Sequence, residues 1–284
     1  MQIGAIYPQT ELPPDPASAR AYAQGVEELG FRHILAYDHV LGADPAAYPG
    51  WNGPYDIDTT FHEPFVFFGF LAAVTELELV TGIIIVPQRQ TALVAKQAAE
   101  VDILTGGRFR LGVGVGWNHV EYESLGQDFG TRGRRQEEQI GLLRQLWTER
   151  AVDFEGRFDR VKGAGIAPLP VQRPIPIWMG GRSDAAYTRI GRLADGWFPM
   201  MVPGEHLDHA RQVVAESAAA AGRDLGTISM EGRIQAGDKA VDHAERWQQA
   251  GATHLTVDTM RQGFEGVEGH LAALRATAKA LNLT

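Results

Sequence analysis

The sequence alternates between short apolar runs rich in β-branched residues and longer stretches in which apolar residues recur with a helical period. This alternation is typical of repeated strand–helix units, whose strands pair in parallel. Residues 79–86 are almost continuously apolar, which indicates a strand covered on both faces, as in a parallel sheet. The eight candidate strands are residues 3–7, 33–37, 77–86, 109–115, 175–179, 196–200, 228–234 and 253–257.

The 284 residues divide into about 35 for each strand–helix unit, which matches the usual length of an eightfold barrel. We therefore predict a (β/α)8 TIM barrel that spans residues 1–284 as one domain, with a doubly wound open sheet as the alternative. Two segments are longer than a connection needs. Residues 41–58, after the second strand, predict either a lid over the catalytic face or surface decoration. Residues 151–174, before the fifth strand, predict an insertion that contains a hairpin.

The composition excludes several classes of function. With 26 Lys and Arg against 35 Asp and Glu, the net charge is −9 and a nucleic-acid-binding surface is not expected. The longest apolar run, residues 65–74, is too short to span a membrane, and residue 1 leads directly into a strand rather than a secretory signal. Without cysteine, thiolate metal sites are excluded, and His206 and His209 lack a third ligand. We expect a cytoplasmic protein without a metal that acts on small molecules.

Polar residues follow the predicted strands at the end where a TIM barrel carries its chemistry. Asp38 and His39 come directly after the second strand. A carboxylate beside an imidazole can exchange a proton with a bound ligand near neutral pH. The alternative is that both side chains form structural hydrogen bonds to a neighbouring loop.

Glycines mark two further positions. Gly112, Gly114 and Gly116 alternate along the fourth strand, so one side of that strand carries no side chains. The bare side either admits a flat ring or allows tight packing inside the barrel. Residues 180–183, Gly-Gly-Arg-Ser, predict a turn between a strand and a helix start, where backbone N–H groups suit a phosphate. The alternative is an ordinary turn with Ser183 as the helix N-cap.

Longer segments resemble the luciferase-like monooxygenase superfamily, and within it the coenzyme F420-dependent oxidoreductases of actinobacteria. The similarity runs from Ile3 to about Trp197, whereas the last third of the chain fits by periodicity alone. The segments that carry it are GVEELGF (25–31), YDH (37–39), TGIIIVP (81–87), LTGGRF (104–109), GVGVGW (112–117), PIWMGG (176–181) and LADGW (193–197).

The resemblance implies a flavin or deazaflavin lying across the carboxyl ends of the barrel strands. It implies that Asp38 and His39 touch the ring or the substrate as catalytic residues. A non-proline cis peptide that supports the ring is implied at Gly82 and Ile83. The remaining implied cofactor-binding residues are Gly114, Gly116, Trp117 and Asn118 after the fourth strand, and Gly180, Gly181, Arg182 and Ser183 at the phosphate turn.

One departure from the resemblance bears on the substrate. Sugar-phosphate dehydrogenases of this superfamily carry a glutamate as proton donor where this chain has Trp117 and Asn118, so sugar oxidation is not expected. Trp117, together with Trp51, Tyr55 and Trp197, indicates an apolar or aromatic substrate if these rings line the pocket. Their alternative role is core packing.

Four functions are consistent with these observations. The first is hydride transfer between F420 and a small organic substrate, such as a carbonyl or an activated double bond. The second is an FMN-dependent monooxygenase that uses O2, which no short motif separates from the first. The others are a non-catalytic flavin- or deazaflavin-binding protein and an unrelated barrel lyase or isomerase. Because members of the superfamily are commonly dimers, we expect a homodimer.

Overall fold

The computed structural model describes residues 1–283, and its core is a closed barrel surrounded by helices. The strands are β1 (Gln2–Ile6), β2 (His33–Ala36), β3 (Glu78–Thr81), β4 (Ile84–Ile85), β5 (Phe109–Gly114), β6 (Val152–Glu155), β7 (Arg160–Ala164), β8 (Ile177–Gly181), β9 (Gly196–Pro199), β10 (Ser229–Gln235) and β11 (His254–Asp258). The helices are α1 (Pro16–Glu28), α2 (Pro64–Leu71), α3 (Thr91–Leu104), α4 (His119–Ser124), α5 (Arg132–Thr148), α6 (Asp184–Leu193), α7 (Glu205–Ala220), α8 (Ala240–Gln249) and α9 (Gly266–Ala280).

The barrel strands pair in parallel in the order β3-β2-β1-β11-β10-β9-β8-β5-β4, and an additional pairing of β3 with β5 closes the ring. β3 and β4 are two halves of the third barrel strand, and the cis peptide bond between Gly82 and Ile83 lies between them. Counting β3 and β4 together, the barrel has eight parallel strands. The predicted TIM barrel is confirmed, and the resemblance placed the cis peptide bond at the right residues.

Local sequence signals explain where the surrounding helices begin and end, as α1 illustrates. The Asp15 carboxylate accepts hydrogen bonds from the N–H groups of Ala17 and Ser18, both at 2.9 Å, which caps the helix. Tyr22 is completely buried on the face turned toward the barrel. Gly30 follows the helix with φ of 82°, a backbone conformation that glycine adopts without steric cost.

Both predicted insertions are present. Residues 41–58 form a long loop without helix or strand between β2 and α2. β6 and β7 form an antiparallel hairpin between α5 and β8. The Glu138 carboxylate of α5 accepts hydrogen bonds from the N–H groups at 157–159, which ties the hairpin turn to the barrel wall.

Charged side chains occupy part of the barrel interior, which the apolar pattern of the strands did not predict. Glu231 on β10 lies 2.9 Å from His33 Nε2 on β2 and 2.6 Å from Arg110 Nη1 on β5. Arg110 also bonds Glu78 at 3.0 Å, and its guanidinium lies 4.2 Å from the ring centre of Trp178. Burial raises the pKa of Glu231, but Arg110 and His33 more than offset it, so the pKa falls to about 2. This buried charge network connects strands across the barrel.

None of the helices within residues 1–283 combines the length and the apolar character that crossing a bilayer requires.

Removing Arg110 from the buried charge network should destabilise the fold. Arg110→Met leaves Glu231 buried without its closest cation, and we expect the free energy of unfolding to fall by about 3–5 kcal/mol. Urea denaturation measures it. The control is Arg160→Met, which removes an exposed pair on the hairpin, 3.7 Å from Glu155, and should change stability by less than about 0.5 kcal/mol. Equal stability of the two variants would contradict a structural role for the network.

Candidate functional site

A cavity opens at the carboxyl ends of the barrel strands, which we call the mouth cavity. Its wall combines apolar side chains, bare backbone and two charged residues. It is lined by Ile6, Leu35, Tyr37, Gly82, Ile83, Gly180, Phe198, Pro199, Met200, Glu231, Gly232, Arg233 and Thr256. Concave apolar sites with a few polar groups are the usual places where proteins bind small molecules.

One wall of the mouth cavity is formed by Gly82, Ile83 and Gly180, and we call it the bare wall because its two glycines carry no side chain. A Cβ atom at Gly180 would approach only the side chain of Ile83, at 3.6 Å, so the cavity side of this residue is open. A Cβ atom at Gly82 would instead collide with Leu35, and only glycine fits there. A planar ring can therefore approach the backbone at Gly180, whereas the Leu35 side chain occupies the space beside Gly82.

The alternating glycines of the fourth barrel strand, Gly112, Gly114 and Gly116, do not face open space as Gly180 does. A Cβ atom at Gly112 would meet the backbone of Thr81, and Cβ atoms at Gly114 and Gly116 would meet the side chains of Ile83 and Ile85. The protein itself therefore fills the space beside these glycines, as the tight-packing alternative predicted. They allow the third barrel strand to approach the fourth, and direct contact of Gly114 and Gly116 with a cofactor stays a prediction.

Asp38 is buried and directly follows Tyr37, which lines the mouth cavity. Its Oδ1 accepts a hydrogen bond from Arg89 Nη2 at 2.8 Å, and its Oδ2 accepts one from the Ile85 N–H at 3.4 Å. Arg89 also donates to Glu63 at 3.0 Å. Burial raises the pKa of Asp38 to about 6, against the opposing effect of Arg89. Asp38 therefore ties the end of β2 to β4 and changes its charge near neutral pH.

His39 has different neighbours from Asp38. Its ring centre lies 5.0 Å from that of Tyr55, 4.8 Å from that of Phe61 and 5.8 Å from that of Trp117. Its Nδ1 lies 3.6 Å from Glu121 Oε2. An aromatic enclosure therefore surrounds the imidazole, and the nitrogen that faces the buried carboxylate is Nδ1.

Glu121 is a buried carboxylate of the site that the sequence analysis missed. Its Oε1 accepts hydrogen bonds from the N–H groups of Val40 at 2.5 Å and Leu41 at 3.1 Å, and its Oε2 accepts one from Gln88 Nε2 at 2.9 Å. Burial raises its pKa, but the hydrogen bonds from His39, Gln88 and Val40 outweigh burial and lower it. Glu121 thus holds the chain that follows Asp38 and His39. It lies on a helix of six residues, too short to show a periodic pattern.

Asn118 positions Glu121. Its Oδ1 accepts hydrogen bonds from the N–H groups of Val120 at 3.1 Å and Glu121 at 3.2 Å, so that it is the N-cap of α4. Its Nδ2 donates to the Leu41 carbonyl at 3.3 Å. Both ends of this carboxamide, predicted to bind a cofactor, are engaged within the protein.

Of the four predicted pocket aromatics, Tyr55 and Trp117 lie beside His39 and Trp51 lies beside Trp117. Trp51 lies 5.6 Å from Trp117 between ring centres and donates through Nε1 to the Tyr55 carbonyl at 2.9 Å. Trp51 and Tyr55 belong to the long loop, which therefore packs against the residues that follow β2 and β5, and its role as a lid stays a prediction. Trp197 has the alternative role, core packing, and does not line the mouth cavity. It is buried in the core, 6.2 Å from Tyr187 of α6, because its strand turns it toward that helix.

The predicted phosphate turn joins β8 to α6. Ser183 Oγ accepts a hydrogen bond from the Ala186 N–H at 3.3 Å, which makes Ser183 the helix N-cap, as the alternative interpretation held. Gly181 is required because a Cβ atom there would collide with Ala186. Arg182 is exposed, and no carboxylate in residues 1–283 lies within 4.0 Å of it. Phosphate binding here stays a prediction.

Within residues 1–283, no three His, Asp or Glu side chains lie close enough together to hold a metal ion.

Comparisons with known proteins bear on this site. An uncharacterised protein of Mycobacterium tuberculosis, Rv0940c, is 32% identical over 247 residues, which cover 85% of this chain and 83% of that protein. The FMNH2-dependent dimethylsulfone monooxygenase of Pseudomonas putida is 32% identical over 183 residues, 63% of this chain and 47% of that protein.

Among solved structures, the coenzyme F420-dependent tetrahydromethanopterin reductase of Methanopyrus kandleri has the same fold, with a TM-score of 0.74. It is 16% identical, and the match covers 98% of each chain. The family model described as luciferase-like monooxygenase matches residues 2–278. With the closed parallel barrel, the cis peptide bond in its third strand and this match over nearly the whole length, the chain belongs to the luciferase-like monooxygenase family.

Proposed function

We propose that the chain is an F420-dependent oxidoreductase that moves a hydride between the deazaflavin and a small organic substrate of apolar or aromatic character. The observation that carries the proposal is the mouth cavity, whose wall at Gly82, Ile83 and Gly180 is open to the backbone at Gly180. This wall fits one face of a planar ring. Asp38 and His39 follow directly on Tyr37, which lines the same cavity. The homodimer and the cytoplasmic location expected from the sequence remain part of the proposal.

The surface beside the mouth cavity favours a cofactor that has a long anionic tail. Arg182 precedes α6 and Arg134 lies in the first turn of α5, and both side chains are exposed. The two helices pack side by side, since a Cβ atom at Gly133 would lie 2.7 Å from Arg189 of α6. Arginines next to helix N-termini favour anions. F420 carries a phosphate and a carboxylate-bearing tail, whereas FMN ends at its phosphate.

The roles of the protein groups follow from their contacts. A bound deazaflavin supplies the hydride chemistry. The Nδ1 atom of His39 faces Glu121, so Nε2 on the opposite side of the imidazole is the atom that exchanges a proton with the substrate. Asp38, paired with Arg89, holds the end of β2 against β4 beside the ring. The long loop, through Trp51 and Tyr55, excludes water from this space.

The second candidate is an FMN-dependent monooxygenase. It is supported by the Pseudomonas putida relative, whose name states dependence on FMNH2 and which is 32% identical over 63% of this chain. The same bare wall accepts the ring of either cofactor.

Cofactor titration separates the two candidates. We expect absorbance titrations of the purified protein to show tight binding of F420 and at least about tenfold weaker binding of FMN. Gly180→Val, which places a branched side chain in the wall, should weaken F420 binding at least about tenfold. The control Gly69→Val, at a helix position with open space around it, should leave binding unchanged. Tight FMN binding without F420 binding would favour the monooxygenase, and binding of neither would exclude both.

Replacing His39 should affect turnover far more than stability. His39→Ala removes the proposed proton-exchanging group, and we expect the rate of cofactor oxidation with substrate to fall about 100-fold or more. The melting temperature is measured alongside, because the side chain is only 11% exposed and its removal also loses packing against the neighbouring rings. His206→Ala, an exposed helix position, is the control for a histidine outside the site. An unchanged rate for His39→Ala would remove His39 from the mechanism.

Asp38 should make the stability of the protein depend on pH near neutrality. Its pKa is raised from the usual 3.8 to about 6 in the folded protein, so its contribution to stability is present at low pH and lost as pH rises through 6. When the pH is lowered from 7.5 to 5, the free energy of unfolding of the wild type should rise by about 1 kcal/mol relative to that of Asp38→Asn. Urea denaturation at both pH values measures this. A difference that is constant with pH would contradict the raised pKa.

A further inference from the structure

The side of the mouth cavity opposite the bare wall carries a cation without a carboxylate partner. Arg233 lies on β10, and in the closed sheet order β10 is four strands from β3 in either direction around the ring. Arg233 therefore faces the cavity from the strand diametrically opposite the Gly82-Ile83 peptide. A molecule lying between that peptide and β10 has the arginine at its far end.

The surroundings of Arg233 leave its guanidinium available to a ligand. Its side chain is exposed, and its Nη1 donates to the Tyr37 hydroxyl at 3.1 Å. In residues 1–283, no carboxylate oxygen lies within 4.0 Å of it. The neighbouring Asp258 is buried and accepts the Met260 N–H at 2.8 Å; burial raises its pKa and Arg233 opposes that rise, so the two side chains attract each other over more than 4.0 Å. Glu231, the other charged residue in the cavity wall, is already paired with Arg110 and with His33.

A second cavity adjoins the first at Arg233. It is lined by Val202, Pro203, Arg233, Ile234, His243, Arg246 and Trp247. Its lining contains two arginines and a histidine but no carboxylate. Arg246 donates to the Pro203 carbonyl at 2.9 Å, which fixes the loop that separates β9 from α7. Arg233 therefore lies between the mouth cavity, whose one carboxylate, Glu231, is already paired, and a second cavity whose lining has no carboxylate.

We infer that Arg233 binds a carboxylate of the organic substrate, whose apolar part lies in the mouth cavity against Leu35 and Phe198. This inference rests on the proposed function and names the substrate class, an organic acid with an apolar or aromatic body. A guanidinium offers two parallel N–H donors that match a carboxylate, and an apolar surrounding strengthens the pair. The hydrogen bond to Tyr37 restrains the guanidinium group of Arg233, so the side chain loses less conformational freedom when the substrate binds.

The position of Arg233 separates this carboxylate from the anionic part of the cofactor. The predicted phosphate turn follows β8, two strands away from β10 in the sheet order. Arg182 lies at that turn, whereas Arg233 lines the cavity itself. A substitution of Arg233 is therefore expected to change substrate binding and not cofactor binding.

Calorimetric titration with matched probe pairs tests the inference. The cofactor-loaded protein is titrated with acetate, phenylacetate and 3-phenylpropanoate, and with the corresponding neutral amides. We expect the wild type to bind the two phenyl acids at least about tenfold more tightly than their amides. Arg233→Gln should abolish this preference, Arg233→Lys should retain part of it, and the F420 Kd should stay within twofold in both variants. Circular dichroism checks that both variants are folded.

The matched control is Arg182→Gln, which should weaken F420 binding and leave the preference for the acids intact. Two results would overturn the inference: no preference for any acid over its amide in the wild type, or a preference that survives in Arg233→Gln. A loss of cofactor affinity in Arg233→Gln without a change in probe binding would assign Arg233 to the cofactor instead. If neither F420 nor FMN binds, the same titrations on the purified protein still measure the acid preference, so failure of the two proposals is distinguishable.

Discussion

Closure of the parallel sheet is the constraint on which the other features depend. β3 pairs with β5, so the chain of strand pairings returns to its starting point and all eight barrel strands point their carboxyl ends toward one mouth. Tyr37, the Gly82-Ile83 peptide and Arg233 are far apart in sequence but lie on or directly after different strands of the same ring. Parallel closure brings them around a single cavity at the end of the barrel where this architecture usually carries its active site.

Two buried carboxylates hold the segment that carries the candidate catalytic residues. Asp38 is bonded by Arg89 and the Ile85 N–H, and Glu121 by Gln88 and two backbone N–H groups. Burial of a carboxylate is unfavourable unless charge or hydrogen bonds compensate it. Compensation is incomplete at Asp38, whose pKa is raised, and sufficient at Glu121, whose pKa is lowered. Asp38 is therefore suited to a change of charge near pH 6, whereas Glu121 stays charged and anchors the chain at Val40 and Leu41.

The sequence predicted those parts of the site that depend on strand position. The eight strands, the placement of Asp38 and His39 after the second strand and the turn at Gly180 all follow from apolar runs and their boundaries. The cis peptide bond at Gly82 came from the family resemblance, which carries information that periodicity lacks. Residues whose role depends on contacts between distant segments were missed. Glu121 lies on a short helix without a pattern of its own, and Arg233 occupies a strand position that does not differ in sequence from an ordinary surface arginine.

The direction of a side chain is also decided only by the folded structure. Trp117 and Trp197 each stand at a strand end or beginning, yet the first lies over His39 and the second lies in the core against Tyr187. The sequence by itself determined the order of strands and helices, because hydrophobic burial imposes a period on each element. Only the tertiary structure decided which polar groups meet in the mouth cavity, because pairing of charges and hydrogen bonds depends on distances between residues that the chain order does not set.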